Sequence, residues 1–273
     1  MEKTLDNIKI LCFDIDGTIS YNHKGIKPEI REEFLRLKKM GYKIILNTGR
    51  SKVDVEAFMK SSDFYSEAII LNGACIIDEN LMPNDEEYID EQSVRNVYDL
   101  LRENNISFVC YYSNKNVEVP GKKSIREIII NDREEDEQLN DFFDMFVQEE
   151  ISNFKQILKI EAWILNLDVN SQIRDKLSKI DGVTCVSSMG FNLEITSVKT
   201  NKAKKLLEYA NKLGYTKNNV IFFGDSENDK PVFDLFENAV YVKNERQDFN
   251  FYTKFKVESC KNGGVEKFLK SNF

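Results

Sequence analysis

Two short apolar runs near opposite ends of this 273-residue chain, Ile10-Leu11-Cys12-Phe13 and Val220-Ile221-Phe222-Phe223, each break off into a cluster of acids and turn formers. The first leads into Asp14-Ile15-Asp16-Gly17-Thr18 and the second into Gly224-Asp225-Ser226-Glu227-Asn228-Asp229. Runs this short, branched or aromatic and bounded by turn chemistry read as buried parallel strands. Both acidic clusters then lie at strand C-terminal ends, the edge of an open α/β sheet where ligands bind. Gathering carboxylates there is costly, because like charges disfavour one another's ionised form unless a cation offsets them. A divalent cation with oxygen ligands meets that need, and Mg²⁺ keeps several waters and shares its remaining positions with phosphate oxygens.

The stretches around these runs follow the same grammar. Pro28 opens a helix whose Ile30, Phe34 and Leu37 share a face, and Gly41 stops it. An apolar run at 42–46 ends in Asn47-Thr48-Gly49-Arg50, after which Ser51 and Asp54 make a capping box ahead of Val55, Phe58 and Met59. Residues 68–71 read as the next strand, so 8–71 spell β-α-β-α-β, a doubly wound parallel sheet. Past Asp78 the pattern turns more polar, with expected helices on Val94, Val97, Tyr98 and Leu101 and on Leu139, Phe142, Phe143 and Phe146. Strands are expected at 107–112, 125–130, 157–167, 183–187 and 192–196, which suits helices on a largely antiparallel sheet. The acidic run at 132–137 reads as a solvated helix start. From Thr200 the α/β grammar resumes: a helix on Ala203, Leu206, Leu207 and Ala210 capped by Thr200 and stopped by Gly214, a helix with Pro231 in its first turn, a strand at 240–243 and a closing helix at 265–269.

Composition narrows the partners. A net charge of −8 with no concentrated Lys and Arg argues against nucleic acid. No apolar run approaches the ~20 residues of a membrane span, and Met1 to Asn7 lack a signal-peptide core, so a cytoplasmic protein is expected. Five scattered cysteines (Cys12, Cys75, Cys110, Cys185, Cys260) without a CxxC pair read as reduced core thiols. The single histidine, His23, stands in a polar segment with no triad partner around it.

Neither acidic cluster is a calcium loop. An EF-hand needs Gly at its sixth position and Glu at its twelfth, but these hold Ile19 and Gly25 counting from Asp14, and Lys230 and Phe236 counting from Asp225. Single loop aspartates commonly cap turns; two clusters on similar strands point past that role. Taken in order, Asp14-Ile15-Asp16-Gly17-Thr18, Asn47-Thr48-Gly49-Arg50, Lys202 and Gly224-Asp225-Ser226-Glu227-Asn228-Asp229 resemble the four motifs of the haloacid dehalogenase superfamily. The long insert between the second and third motifs resembles the C2 cap of its Cof-type phosphatase branch, as do Leu71-Asn72-Gly73-Ala74, Leu193-Glu194-Ile195 and Asn262-Gly263-Gly264-Val265. Asn201 and Ala203, where Ser and Gly are more usual, and the segment 244–252 depart from the pattern.

The resemblance implies a doubly wound α/β core at 1–78 and 192–273 with an inserted α+β cap at 79–191. It implies a Mg²⁺-dependent phosphohydrolase acting on a small phosphorylated metabolite: a sugar phosphate, a nucleotide or a phosphorylated cofactor. Asp14 would be the nucleophile that becomes an aspartyl-phosphate, and Asp16 the acid and then the base. Asp14, Asp225 and the Asp16 carbonyl would hold Mg²⁺. Thr48, Lys202 and Asn228 would bind phosphoryl oxygens, with Asp229 steadying Lys202 or metal waters. Lys202 stands out from Lys199, Lys204 and Lys205 because it adjoins the buried stripe, in a helical first turn where a cation opposes the dipole. Gly49, Arg50 and Asn72 are open to a substrate-facing role; Arg50 equally could pair with an acid, and Asn72-Gly73 could simply make a tight turn. A sugar phosphomutase and a non-catalytic phospholigand sensor share much of this pattern.

Overall fold

A computed structural model describes residues 5–21, 25–59, 64–65, 67–130, 143–148, 151, 153–245, 247 and 249–273. Its first sheet has eight strands. The order is β14 (Phe255–Val257), β13 (Ala239–Val242), β12 (Val220–Gly224), β1 (Ile10–Phe13), β2 (Lys43–Asn47), β3 (Glu67–Ile70), β4 (Cys75–Ile77) and β5 (Pro83–Glu86). From β14 to β3 neighbours run parallel, and β4 and β5 add an antiparallel edge. The two apolar runs lie side by side, with Phe13 paired to Phe223 and their rings stacked at 4.7 Å. Their register therefore brings both acidic clusters to one spot, and Leu46 beside Phe13 brings Asn47-Thr48-Gly49-Arg50 to the next position along the same edge.

Both faces of this sheet are covered, which is why its strands are apolar at successive positions. Leu11 and Phe13 pack with Ile30, Phe34 and Leu37 of α1 (Pro28–Lys39), with Val55 of α2 (Lys52–Met59) and, at the chain's end, with Val265 and Leu269. Ile10 and Cys12 face the other way, toward Ala203, Leu206 and Ala210 and toward Val232 and Phe233. Ser51 and Asp54 cap α2 reciprocally, Ser51 N donating to Asp54 Oδ2 at 2.9 Å and Asp54 N to Ser51 Oγ at 3.3 Å.

The second sheet has six strands, in the order β10 (Val183–Val186), β11 (Asn192–Ser197), β9 (Lys159–Trp163), β6 (Phe108–Tyr111), β7 (Asn116–Val119) and β8 (Phe146–Gln148). All its pairs are antiparallel except β7 with β8. One face is closed by α3 (Glu91–Glu103) and α5 (Leu167–Leu177), through Val94, Val97, Leu101, Ile173 and Leu177.

Several expectations change here. Residues 125–130 form a helix, α4 (Ile125–Ile130), not a strand. Ser124 and Glu127 make a capping box, and Glu118 Oε1 accepts from Ile125 N at 2.7 Å, so local caps override a run of β-branched side chains. Phe146 lies on β8 rather than on a helix; Leu139, Phe142 and the acidic run at 132–137 fall outside the described residues, as does His23. The strand expected over 157–167 stops at Trp163, because Asn166 accepts from Asp168 N and Val169 N and starts α5. β5, beyond residue 78, joins the first sheet, and β11 is hydrogen-bonded inside the second. The remaining helices are α6 (Lys202–Lys212), α7 (Lys230–Leu235) and α8 (Gly264–Asn272). All five cysteines are unpaired. No helix among the described residues is long and apolar enough to cross a membrane.

Candidate active site

Asp14 is the first residue past β1, its N–H donating to Phe223 O at 2.9 Å, and Asp225 is the first past β12. Gly17 lets the first loop close over the second: its φ is +83°, and a Cβ there would fall 2.2 Å from Asp225 Oδ2. Thr18 Oγ1 donates to Asp225 Oδ1 at 3.1 Å, and Asn244 Nδ2 donates to Asp225 Oδ2 at 2.5 Å.

Lys202 reaches this spot from the first turn of α6. The helix is capped by Asn201, whose side chain accepts from Lys204 N, and not by Thr200, whose Oγ1 instead donates to Gly73 O at 2.7 Å. Lys202 is fully buried. Its Nζ donates to Asp14 Oδ1 and to Asp229 Oδ1, both at 2.7 Å, and lies 3.4 Å from Asn228 Oδ1. The neighbouring lysines go elsewhere, Lys199 to Glu87, Lys204 to Val198 O and Lys205 to Asp85.

Carboxylate oxygens of Asp14, Asp225 and Asp229 lie within 4.8 Å of one another, all buried. Burial raises Asp14 to about 7, against the opposing pull of Lys202 and with Asp229 adding to the rise. Burial pushes Asp225 well above its usual value too, with Asp14 and Asp229 reinforcing it. Lys202 moves the other way: burial opposes its charge, but Asp14 and Asp229 outweigh that and hold it above its usual value. One lysine thus leaves the trio short of positive charge, and hard oxygen donors in such a deficit fit a divalent cation. Asp229 is already engaged at both oxygens, with Lys202 on Oδ1 and the N–H groups of Asp225 and Ser226 on Oδ2 at 2.9 and 3.1 Å. Asp225 accepts one neutral side-chain donor at each oxygen, whereas Asp229 carries the lysine ammonium on one and two backbone N–H groups on the other, so Asp14 and Asp225 keep the greater capacity to hold the ion.

The other predicted residues gather around this centre. Asp16 is gripped bidentately by Arg50, Nε to Oδ2 and Nη2 to Oδ1, each 2.8 Å, so the arginine takes the acid-pairing role left open by the sequence. Thr48 is buried, and its Oγ1 accepts from Arg50 N at 3.2 Å. Asn228 Nδ2 donates to Asn72 Oδ1 at 3.1 Å, and Asn72 Nδ2 donates to Glu194 Oε2. Asn72 does sit in a tight turn, Leu71–Gly73, where all three φ values are positive. Gly49 is a tight position, since a Cβ would lie 3.1 Å from Asn72 Oδ1 and 3.2 Å from Glu194 Oε2 and would push both side-chain ends aside by a few tenths of an ångström. The sequence reading missed Asn244, which lies in the segment that departs from the usual pattern. It also did not assign Glu194, Lys159 and Asn116 of the second sheet, which reach Asn72, Gly49 O and Ser51 Oγ. Their signal was the alternation of polar and apolar residues in Lys159-Ile160-Glu161-Ala162 and Asn192-Leu193-Glu194-Ile195.

A family model described as haloacid dehalogenase-like hydrolase matches residues 11–269. The chain belongs to that family. Among haloacid dehalogenase-like relatives, the 5-amino-6-(5-phospho-D-ribitylamino)uracil phosphatase YcsE of Bacillus subtilis (strain 168) is 24% identical over 82% of this chain and 79% of its own length. The pyridoxal phosphate phosphatase YbhA of Escherichia coli (strain K12) is 23% identical over 86% of this chain and 88% of its own. The structure of a haloacid dehalogenase-like hydrolase from B. subtilis superposes with a TM-score of 0.86 at 19% identity, covering 97% of this chain and all of that one.

Proposed function

We propose that this protein is a Mg²⁺-dependent phosphatase that cleaves a small phosphate monoester through an aspartyl-phosphate. The observation that carries the reading is Lys202, fully buried and hydrogen-bonded to both Asp14 and Asp229 beside Asp225. An oxygen of Asp14 attacks phosphorus, the P–O bond to the leaving group breaks, and Asp16 gives its proton to the departing oxygen. A water then attacks the same phosphorus, Asp16 takes a proton from it, and the bond to Asp14 breaks to release orthophosphate. Thr48, Lys202 and Asn228 hold the equatorial oxygens, where charge spreads in the transition state. Asp229 orients Lys202, and Arg50 holds the ionised form of Asp16 at both oxygens and releases one of them when Asp16 carries the proton. A divalent cation held by Asp14, Asp225 and the Asp16 carbonyl supplies charge screening when bound.

The two sheets support a division into a catalytic unit, about 1–87 and 198–273, and a cap over its C-terminal edge, about 88–197. Relatives matching across most of the chain are named phosphatases, which supports hydrolysis over phosphoryl transfer to a second sugar hydroxyl or simple sensing. The test is phosphate release from a panel of small monoesters with and without Mg²⁺. Metal-dependent release by the wild type should fall at least about a thousandfold in Asp14→Asn, with the folded protein retained by circular dichroism. Undiminished release in that variant would refute the assignment.

A further inference from the structure

The helix that carries Lys202 reaches the C-terminal edge of the first sheet along one of its faces, where Ala203, Leu206 and Ala210 lie over Ile10, Cys12, Ile45 and Ile69. Alternation along β2 sends Ile44 and Leu46 to the opposite face and leaves Ile45 and Asn47 on this one. Asn47, which pairs with Ile69 of β3, is fully buried there. An amide in such a setting costs stability unless its polar atoms find partners. Only half of this one does: Nδ2 donates to Lys202 O at 3.0 Å, while Oδ1 has no hydrogen-bond partner among the described residues.

Lys202 O does not depend on that donor. Lys202 is the first residue of α6, and a carbonyl in that place accepts from the helical N–H four residues on, so the amide is a second donor to an acceptor already served. A valine, β-branched like Ile45 and Ile69 beside it, would fill the end of the strand and leave no buried polar atom unpaired. Packing and hydrogen-bond satisfaction therefore both disfavour asparagine here. What the amide adds is a fixed distance.

That distance joins two parts of the site. The backbone of Asn47 leads directly into Thr48, and its side chain grips the main chain of Lys202. Thr200 Oγ1, donating to Gly73 O at 2.7 Å, anchors the approach to the helix, whereas Asn47 holds Lys202 itself. From that base the ammonium meets Asp14 Oδ1 and Asp229 Oδ1 at once, both at 2.7 Å. Burial pushes the Cys12 thiol well above its usual value, and the Lys202 ammonium and the Asn47 amide both pull against that rise, so the three share one spot beside Asp14 and Asp229. A lysine stem is flexible. Its charge stays on target only if its base does not move.

We propose that Asn47 is a positioning residue for phosphoryl transfer: its amide fixes the base of Lys202 against the end of β2, so that the ammonium and the Thr48 hydroxyl close on the same phosphoryl group. This rests on the phosphatase reading for the roles of Lys202 and Thr48. Charge spreads over the equatorial oxygens in the transition state, so alignment matters more there than in the bound ester. A loosened Lys202 therefore lowers kcat more than it raises KM.

Full-length Asn47→Val is compared with the wild type by urea unfolding, by calorimetric titration with orthovanadate in the presence of Mg²⁺, and by turnover of a panel of phosphate esters. Orthovanadate adopts the five-coordinate geometry of the transferring phosphorus, so it reads transition-state alignment without turnover. The variant should keep the wild-type unfolding midpoint, bind orthovanadate at least about tenfold more weakly and lose at least about tenfold in kcat, with KM changed by less than about threefold. Asn47→Ala should show the same losses if Asn47→Val does not fold. Weaker vanadate binding by the variant, with no ester hydrolysed by either protein, would uphold the role of Asn47 and refute the phosphatase reading. Equal vanadate affinity in the two proteins, or a wild type that hydrolyses esters without binding vanadate, would overturn the inference and leave that reading in place. A fall in vanadate affinity matched by an equal rise in KM would mark a general loosening of the site and overturn it as well.

Discussion

Lys202 concentrates the electrostatic stakes of the site in one side chain. Replacing it with methionine leaves Asp14 and Asp229 buried without their shared cation, so Lys202→Met should cost about 3–5 kcal/mol, read as a lowered urea midpoint. Lys204→Met, whose exposed ammonium donates to Val198 O, should change stability by no more than about 0.5 kcal/mol. Asp14 makes a second expectation. Its folded value of about 7 lies above its ordinary value of 3.8, so the native metal-free protein holds an extra proton between the two and loses stability as pH rises through that window. A cation must displace that proton, so Mg²⁺ binding measured by calorimetry should weaken from about pH 8 to about pH 6; a flat profile would place the ion elsewhere. At this scale the sequence was most readable where chemistry is local. The motif aspartates and Lys202 announce themselves by type and position, whereas Asn244 and Glu194 act through contacts that only the folded chain brings together.

Elements hold these side chains in place through backbone approaches. The Leu71–Gly73 turn meets the start of α6, where a Cβ on Gly73 would fall 2.5 Å from Asn201 O. Gly41 shares the positive φ but has nothing within 4 Å of its missing Cβ. Gly41→Ala should therefore cost about 1 kcal/mol of backbone strain alone. Gly73→Ala should cost more and also lower phosphate release, by shifting the residue next to Lys202; equal activity in the two variants would show that this approach does not matter. The β-α-β-α-β opening was legible because apolar period, Pro28, Gly41 and the Ser51–Asp54 box agree with one another. The region after residue 78 was less so. Ile125, Ile128, Ile129 and Ile130 favour a strand by propensity, while the Ser124–Glu127 box favours the helix that forms. Asn166 ends a strand that hydropathy alone would extend.

Across the molecule, the second sheet rests on the first through hydrogen bonds at Gly49, Ser51 and Asn72, through an ion pair between Arg174 of α5 and Glu227, and through an apolar cluster that takes in Val109, Tyr111 and Trp163 along with Val55 and Leu71. Both partners of that pair are about a third exposed, so it adds little to folding stability. Arg174→Glu turns attraction into repulsion across the junction. It should leave the unfolding midpoint nearly unchanged while enlarging the radius of gyration in small-angle scattering; an unchanged radius would mean that the buried hydrogen bonds and the shared apolar cluster hold the two together without the ion pair. The break in grammar after residue 78 was visible in the sequence, but the strand pairings around it were not. The β4–β5 hairpin and β11 show their allegiance only through pairing partners. The chain passes from the first sheet to the second just after Glu87 and returns just after Ser197, and Ser197 Oγ lies 3.4 Å from Glu87 Oε1. The whole intervening stretch thus departs and arrives at one doorway. A loop whose two ends meet can be lengthened, rewritten or exchanged as a cassette without altering any spacing among Asp14, Thr48, Lys202 and Asp225, so descendants of such a chain can inherit the reaction unchanged while renegotiating what they act upon.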